Sequence, residues 1–426
     1  MNTKQTIAIV VVVVVILAAI VAVVATTNDS GNNDTPPASA SVASGALFGN
    51  VNGDSHIDET DVSIIEGIIN GEYIFDDYPL ADANGDGAVD ESDLDVVRAV
   101  INGEDTTLRV VNVDGDAISV QYPATDYAFT SGTNMKSVIA ALGLTKSMKG
   151  IAIDSDTVSP VLDQELYNGL NDGSIELLVD SQSLTVESLS TLANLGVTLV
   201  VGEDSGMSSG SDIVTAMNGM GITYLQLNVK DMDLQINALN TLGILMGCEE
   251  EAEAYTAWVE GISDTIIENV GDLYGTATVL SVVMTNSVSG TSSDYYAMTE
   301  AAGGKNIADW SGSTQKFNEG DTWLLDSKYN ADFIFHFRTV TYPDGLTESQ
   351  IANYAGYFDN TYTYQNGGYY LINGSLPLPV RLAVMAETMY SDCFDEGWAE
   401  SVFQEYVTDF LGSDYDVSQS MYIWNA

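Results

Sequence analysis

Tyr127-Ala-Phe-Thr-Ser-Gly-Thr-Asn-Met-Lys-Ser-Val-Ile-Ala-Ala-Leu-Gly143 carries the reading of the fold. Residues 127–129 form a short apolar run suited to a buried strand, a small polar loop follows, and 135–142 has apolar residues at helical spacing. The unit recurs downstream. Apolar runs at 150–153, 175–179, 197–201 and 222–227 end in polar or glycine-containing turns, with helical segments such as 186–195 between them. That alternation predicts a parallel sheet with crossover helices. A long helical stretch at 232–270 interrupts the rhythm. Strands resume at 278–284, 333–337 and 369–372, and a last helical region covers 379–411. The expectation is two Rossmann-like α/β lobes, 108–230 and 272–426, joined by one long helix within 231–271.

Upstream lies an internal repeat. Asn50-Val-Asn-Gly-Asp-Ser-His-Ile-Asp-Glu-Thr-Asp61 returns as Asp82-Ala-Asn-Gly-Asp-Gly-Ala-Val-Asp-Glu-Ser-Asp93, and each copy leads into an isoleucine- and valine-rich helix ending at Asn-Gly-Glu. The spacing is that of an EF-hand-type calcium loop, with oxygen donors at positions 1, 3, 5, 9 and 12 and a backbone carbonyl at 7. The donors are Asn50, Asn52, Asp54, Asp58 and Asp61 with the His56 carbonyl, then Asp82, Asn84, Asp86, Asp90 and Asp93 with the Ala88 carbonyl. Ile57 and Val89 would anchor the loops to a core. The first loop is the poorer cage, because Asn50 replaces a carboxylate and Ser55 replaces the turn glycine found at Gly87. Calcium is the expected cofactor of a small all-α module at 47–105.

The N-terminus has Lys4 ahead of an uninterrupted apolar run from Ile7 to Ala25, long enough to span a bilayer as a helix of roughly 20 residues. Residues 1–25 are therefore expected as a single-pass membrane anchor with the bulk of the chain outside; a cleaved signal, giving a secreted protein, is the alternative. Residues 26–46 are small, polar and proline-containing, and are expected as a flexible tether.

The chain carries 61 Asp+Glu against 12 Lys+Arg over 426 residues. So negative a surface repels phosphate backbones and argues against nucleic-acid binding; it suits a saline exterior. Cys248 and Cys393 can pair or stay as thiols, and without a CxxC spacing they make no zinc site. No Ser-His-Asp arrangement stands at recognisable spacing, and the carboxylates are too numerous to single out an acid/base pair, so a binding protein rather than an enzyme is expected.

The repeat resembles a dockerin, a duplicated loop–helix module with Asp rather than Glu at loop position 12. That resemblance implies a cohesin-domain partner, with positions 10 and 11 (Glu59 and Thr60; Glu91 and Ser92) contributing to partner choice or only starting their helices. From about Leu108 onward the chain is similar to solute-binding proteins of ABC importers for iron–siderophore complexes, haem and cobalamin, of the periplasmic-binding-protein type. The likeness rests on 127–143, Lys149-Gly-Ile-Ala-Ile153, Glu300-Ala-Ala-Gly-Gly-Lys-Asn-Ile307, Tyr329-Asn-Ala-Asp-Phe-Ile334, and Tyr369-Tyr-Leu-Ile-Asn-Gly374 with Arg381-Leu-Ala383. Ala331 stands where the family has proline.

The family fold implies a ligand cleft between the lobes, beyond the carboxyl ends of the strands. Candidate cleft residues are Ser131, Thr133, Asn134, Asp154, Gln182, Glu203, Asp204, Thr285, Asn286, Tyr295, Tyr296, Arg338 and Asn373. Arg338, directly after an apolar strand, can fork onto carboxylate, catecholate or hydroxamate oxygens or make a surface ion pair. Arg381 reads as structural, and His336 reads as a sheet histidine or an axial ligand to a haem or cobalt centre. The resemblance also implies permease docking through one acidic residue per lobe. Asp163–Glu165 can supply the first; the second is replaced by Leu324, with Asp321 and Asp326 nearby. The expected cargo is an iron complex or a corrinoid. A scaffold or adhesion protein of the same fold, and a dockerin-bearing polysaccharide hydrolase, are the alternatives.

Overall fold

The computed structural model describes residues 42–203 and 210–426. The expected anchor and most of the expected tether lie outside these residues, and among the described ones no helix is long and apolar enough to cross a membrane. The end of the expected tether is fixed in place: Gly45 and Phe48 N–H donate to the carbonyls of Val111 and Arg109, and Val111 N–H donates to Ala46. The reason is apolar. Leu47 is fully buried, so its neighbours pair as an added strand-like edge.

Two helices, α1 (Glu59–Ile69) and α2 (Glu91–Ile101), follow the repeated loops. Each starts with a capping box in which the ninth loop residue (Asp58, Asp90) caps the helix and the twelfth (Asp61, Asp93) reaches back to the cap N–H. Each ends at Asn-Gly, with Gly71 and Gly103 in the left-handed region. Val62, Ile65, Leu94 and Val97 form the inner face. An antiparallel hairpin, β1 (Thr106–Val111) and β2 (Ala117–Tyr122), comes next. The sequence reading missed it because its outer residues are polar and its loop, Asn112–Asp116, resembles more of the acidic linker.

The first lobe has a five-stranded parallel sheet in the order β5-β4-β3-β6-β7. Its strands are β3 (Tyr127–Thr130), β4 (Gly150–Ala152), β5 (Glu176–Val179), β6 (Leu199–Glu203) and β7 (Thr223–Leu227). The crossover helices are α3 (Thr133–Ala141), α4 (Gln164–Asp172), α5 (Val186–Leu195) and α6 (Ser211–Gly219). Phe129, Ile151, Val201 and Leu225 point to one core and Ala128, Ala152, Val200 and Tyr224 to the other, as period-two alternation requires when helices cover both faces.

The expected single helix over 232–270 is two. α7 (Met232–Met246) stops at Gly247, whose φ of 69° closes it, and α8 (Glu249–Val270) restarts with three glutamates in its first turn. Those carboxylates favour a new helix N-terminus. The two helices pack closely at Gly243, where a Cβ would lie 2.7 Å from that of Ala252. Ala238, Leu239, Leu242, Leu245, Ala252, Tyr255 and Val259 are all buried in one apolar cluster that includes residues of the repeat module and both lobes.

The second lobe is mixed rather than purely parallel. β8 (Thr278–Val283), β12 (Phe333–Arg338) and β13 (Tyr369–Asn373) run parallel, and β10 (Lys305–Asn306) joins β8 in parallel. β9 (Ser287–Ser289), β11 (Thr314–Lys316) and β14 (Ile423–Asn425) add antiparallel edges. Its helices are α9 (Asp294–Ala301), α10 (Glu348–Ala355), α11 (Tyr362–Gln365), α12 (Leu378–Met389) and α13 (Trp398–Glu405). The edge strands have three residues each, too short for a periodic signal. Phe129 is wholly buried on central strand β3. Phe129→Ala should cost about 3–5 kcal/mol, read as a lowered urea midpoint of tryptophan fluorescence.

Candidate calcium loops and interlobe site

In the second calcium loop, Asp82 Oδ1 accepts Gly85 and Asp86 N–H groups at 2.8 and 3.1 Å, and its Oδ2 accepts Gly87 N–H at 3.1 Å. Asn84 accepts Asp86 N–H and Asp86 accepts Ala88 N–H, winding the loop around its own oxygens. Gly87 turns with φ 92°; Ser55, its counterpart, has no left-handed backbone, so the first loop is the less regular. Asp61 and Asp93 are both 0% exposed. Asp61 accepts from Val51 N–H at 2.6 Å and Asp58 N–H at 2.9 Å, and Asp93 accepts from Asn84 and Asp90 N–H at 3.1 and 2.9 Å.

Burial, with the Asp54 charge adding, pushes Asp61 up to about 6. Burial together with Asp82 and Asp86 also raises Asp93. Among the described residues no three His, Cys, Asp or Glu side chains form a metal cluster; amides and main-chain carbonyls make up the rest of each loop's donor set. Asn50 Oδ1 is buried without a hydrogen-bond partner while its Nδ2 donates to Asp54 O at 2.6 Å. An orphaned oxygen among carboxylates fits a hard divalent cation. Glu59, Thr60, Glu91 and Ser92 are exposed, although the Ser92 hydroxyl donates to Asp90 at 2.7 Å.

The second candidate site lies between the lobes. Arg381, on α12 of the second lobe and 2% exposed, donates from Nη2 to Asn134 Oδ1 on α3 of the first. Asn134 Nδ2 donates to Glu203 Oε1 at 3.4 Å, and Glu203 Oε2 accepts Met135 N–H at 3.0 Å. Burial pulls the Arg381 guanidinium below its ordinary value, opposed by Tyr295, Glu203 and Tyr255. Burial raises Glu203, opposed by Met135 N–H, the Lys230 charge, Asn134 and Arg381. Lys230, after β7, bridges to Asp294 at the start of α9 at 3.2 Å. Thr341 Oγ1 donates to Asp156 O at 2.7 Å and Ser159 Oγ to Tyr342 O at 2.5 Å. These groups come from α12 and α9 or from segments that follow the strand ends.

The structure brings Asn134, Glu203 and Tyr295 together and disperses the other candidates. Ser131 is buried and donates to Gly132 O at 2.8 Å, Thr133 opens α3, Asp154 caps the turn at 155–157, and Gln182 lies half-buried after β5. Thr285 and Asn286 make the β8–β9 turn, where Asn286 donates to Phe317 O at 3.0 Å. The Tyr296 hydroxyl donates to Asn306 O at 3.5 Å, and Asn373 Oδ1 takes Ser375 N–H at 2.9 Å while its Nδ2 is buried and unpaired. Asp204 lies outside the described residues.

Arg338 lies 4.6 Å over the Tyr354 ring, on the strand face it shares with His336. Neighbouring Phe337 faces the other way, onto Tyr295. Burial pushes His336 down to about 4, and both ring nitrogens are engaged, Nδ1 with Tyr369 OH at 2.5 Å and Nε2 with Met284 O at 2.6 Å. That leaves no nitrogen for an axial bond, so His336 is a sheet histidine. Asp163 is sealed in an ion pair with Lys136 at 2.8 Å, while Glu165 pairs on the surface with Lys146. Leu324 is buried, Asp321 is half-buried and Asp326 is exposed. Cys248 and Cys393 are free thiols, and burial pushes Cys248 up to about 12. Sequence reasoning reads Arg381 as structural, which its buried bond to Asn134 fits, and does not single out Lys230. The scarcity of basic residues was the available signal: each cation following a strand had a role to explain.

Residues 49–102 match the family model of the dockerin type I domain. The larger part of the chain has the fold of TroA-like periplasmic binding proteins. It superposes on FepB of Veillonella parvula with a TM-score of 0.56 at 14% identity, covering 74% of this chain and 99% of that one. Helicobacter pylori CeuE with Ni(II) bound gives 0.57 at 15% identity, covering 73% and 98%. The molybdate-binding MolA of Haemophilus influenzae gives 0.56 at 13%, covering 72% and 98%. No curated protein matches the chain.

The raised Asp61 sets a pH test of the dockerin module. Its folded value exceeds the ordinary 3.8, so without metal the charged form costs stability, up to roughly 3 kcal/mol above pH 6, and that cost fades as pH falls from 6 towards 3.8. In EDTA, Asp61→Asn should therefore flatten the change in urea stability between pH 7.5 and pH 4.5 relative to wild type.

Proposed function

We propose that the chain is an extracytoplasmic solute-binding protein for an ABC importer, capturing an iron complex (siderophore or haem) or a corrinoid between its lobes. Its dockerin module holds calcium and attaches the receptor to a cohesin-bearing partner. The observation that carries the solute reading is the buried Arg381–Asn134–Glu203 network, which joins the lobes beyond the strand ends where such a fold receives ligand. An arginine fork there suits an anionic oxygen donor. Glu59, Thr60, Glu91 and Ser92 are exposed at the partner-facing loop positions, with Glu91 beside Arg98 and Ser92 bonded to Asp90. Docking to a permease would use Glu165 in the first lobe and Asp321 or Asp326 in the second, since Asp163 is buried. The chain would sit outside the cell, held by its apolar N-terminal run or released from it.

One observation favours an assembly or adhesion role instead. The Arg381 Nη2, Asn134 and Glu203 groups already bond one another, and neither of two grooves of about 450 Å³ is lined by Arg381, Asn134 or Glu203. Fluorescence titration of the full-length protein in calcium with haemin, cobalamin and ferric siderophores separates the two. A solute receptor gives saturable quenching by one ligand, weakened at least tenfold by Arg381→Gln and unchanged by Arg338→Ala. No quenching by any of them supports assembly.

A further inference from the structure

The fourth position of each calcium loop touches the solute-binding domain. In the first loop this is Gly53, with φ 72°, whose carbonyl accepts Asn240 Nδ2 from α7 at 3.4 Å. In the second it is Gly85, with φ 78°, where a Cβ would overlap the Arg109 guanidinium from β1. Arg109 is held in place 4.5 Å over the Phe48 ring. Asn240 is 5% exposed and Asn50, the first residue of its loop, is 4% exposed; each has a buried Oδ1 without a hydrogen-bond partner.

The joint continues on both sides of these contacts. Thr241 Oγ1 donates to Gly45 O at 2.5 Å and Asn237 Nδ2 to Ser44 O at 3.5 Å, so α7 fastens the edge that precedes the module. The Tyr122 hydroxyl at the end of β2 donates to Val100 O of α2 at 3.4 Å. The hairpin in turn seats on the first lobe, where Asn112 Oδ1 accepts Gln226 N–H at 2.7 Å. Leu47, Leu94, Val97, Leu108, Val120, Leu239 and Leu242 share one buried cluster.

We infer that the dockerin module is a fixed part of the solute-binding domain, its calcium loops held by α7 and β1 at their fourth positions, so that calcium occupancy and the stability of both lobes are linked. The inference rests on the calcium reading of the loops. A cation that binds only the ordered loop stabilises whatever unfolds together with it. On a free tether it would stabilise the module alone. Here α7 runs through Gly247 into α8, which packs under both lobes, so the loops belong to the same cooperative unit as the ligand site.

The five tryptophans all lie outside the module: Trp258 is on α8, and Trp310, Trp323, Trp398 and Trp424 are in the second lobe, so they report on the linking helix and that lobe. Thermal unfolding of the full-length protein is followed by tryptophan fluorescence in calcium and in EDTA, beside calorimetric calcium titration. Calcium should raise the tryptophan-detected midpoint by about 3–5 °C. Asp86→Ala with Asp54→Ala should abolish the shift. Arg109→Ala with Asn240→Ala should at least halve it while calcium still binds. If that last variant fails to fold, hydrogen exchange of wild-type 232–246 decides, with slower exchange in calcium expected. Calcium binding by calorimetry with no change in tryptophan midpoint or in exchange overturns the linkage. No calcium binding at all overturns the linkage and the calcium reading together.

Discussion

The close approach of α7 and α8 at Gly243 is the constraint on which the rest depends. Without a side chain there, the two helices bury Leu239, Leu242, Ala252 and Tyr255 in one cluster. That cluster is continuous with the inner face of the dockerin module, with β3 and β6 of the first lobe, and with α12 and α13 of the second. A bulkier residue would separate helices that three other parts of the molecule use as a floor. Packed interiors transmit such a shift because they have few voids to absorb it.

On that floor the lobes meet through charge. Arg381 is taken out of water and is compensated by Asn134, Glu203 and Tyr295, while Lys136 and Asp163 form a second buried pair within the first lobe. Breaking either arrangement strands a charge in an apolar setting, which is far more costly than losing a surface ion pair. The interlobe polar groups therefore fix how the lobes face each other.

Much of this was legible in the sequence where a pattern repeats. The strands at 127–129, 197–201, 333–337 and 369–372 lie within one or two residues of β3, β6, β12 and β13, because a strand covered on both faces reads as an unbroken apolar run. The loop repeat was legible for a different reason: its donors recur at fixed offsets. The break at Gly247 was not, since one glycine in a helical pattern is tolerated as often as it terminates. The site was read only in part. Asn134, Glu203 and Tyr295 follow from their place after strands or at a helix start, but their meeting with Arg381 depends on a contact 247 residues apart in sequence. Arg338 reads either as a ligand fork or as a surface ion pair; side chains alternate across a strand, and it falls on the face that meets Tyr354.

Three of the twelve basic residues mark joints. Arg109 lies between module and hairpin, Arg381 lies at the lobe interface, Lys230 reaches across to Asp294, and Lys136 is sealed with Asp163 inside the first lobe. With 61 acidic groups, the outer surface is left close to a polyanion. Dissolved salt then acts unevenly. It screens repulsion among exposed carboxylates, whose range in dilute buffer exceeds their spacing, and barely reaches the sealed pairs. Brine should therefore tighten this molecule, and a protein built this way is at its loosest in fresh water.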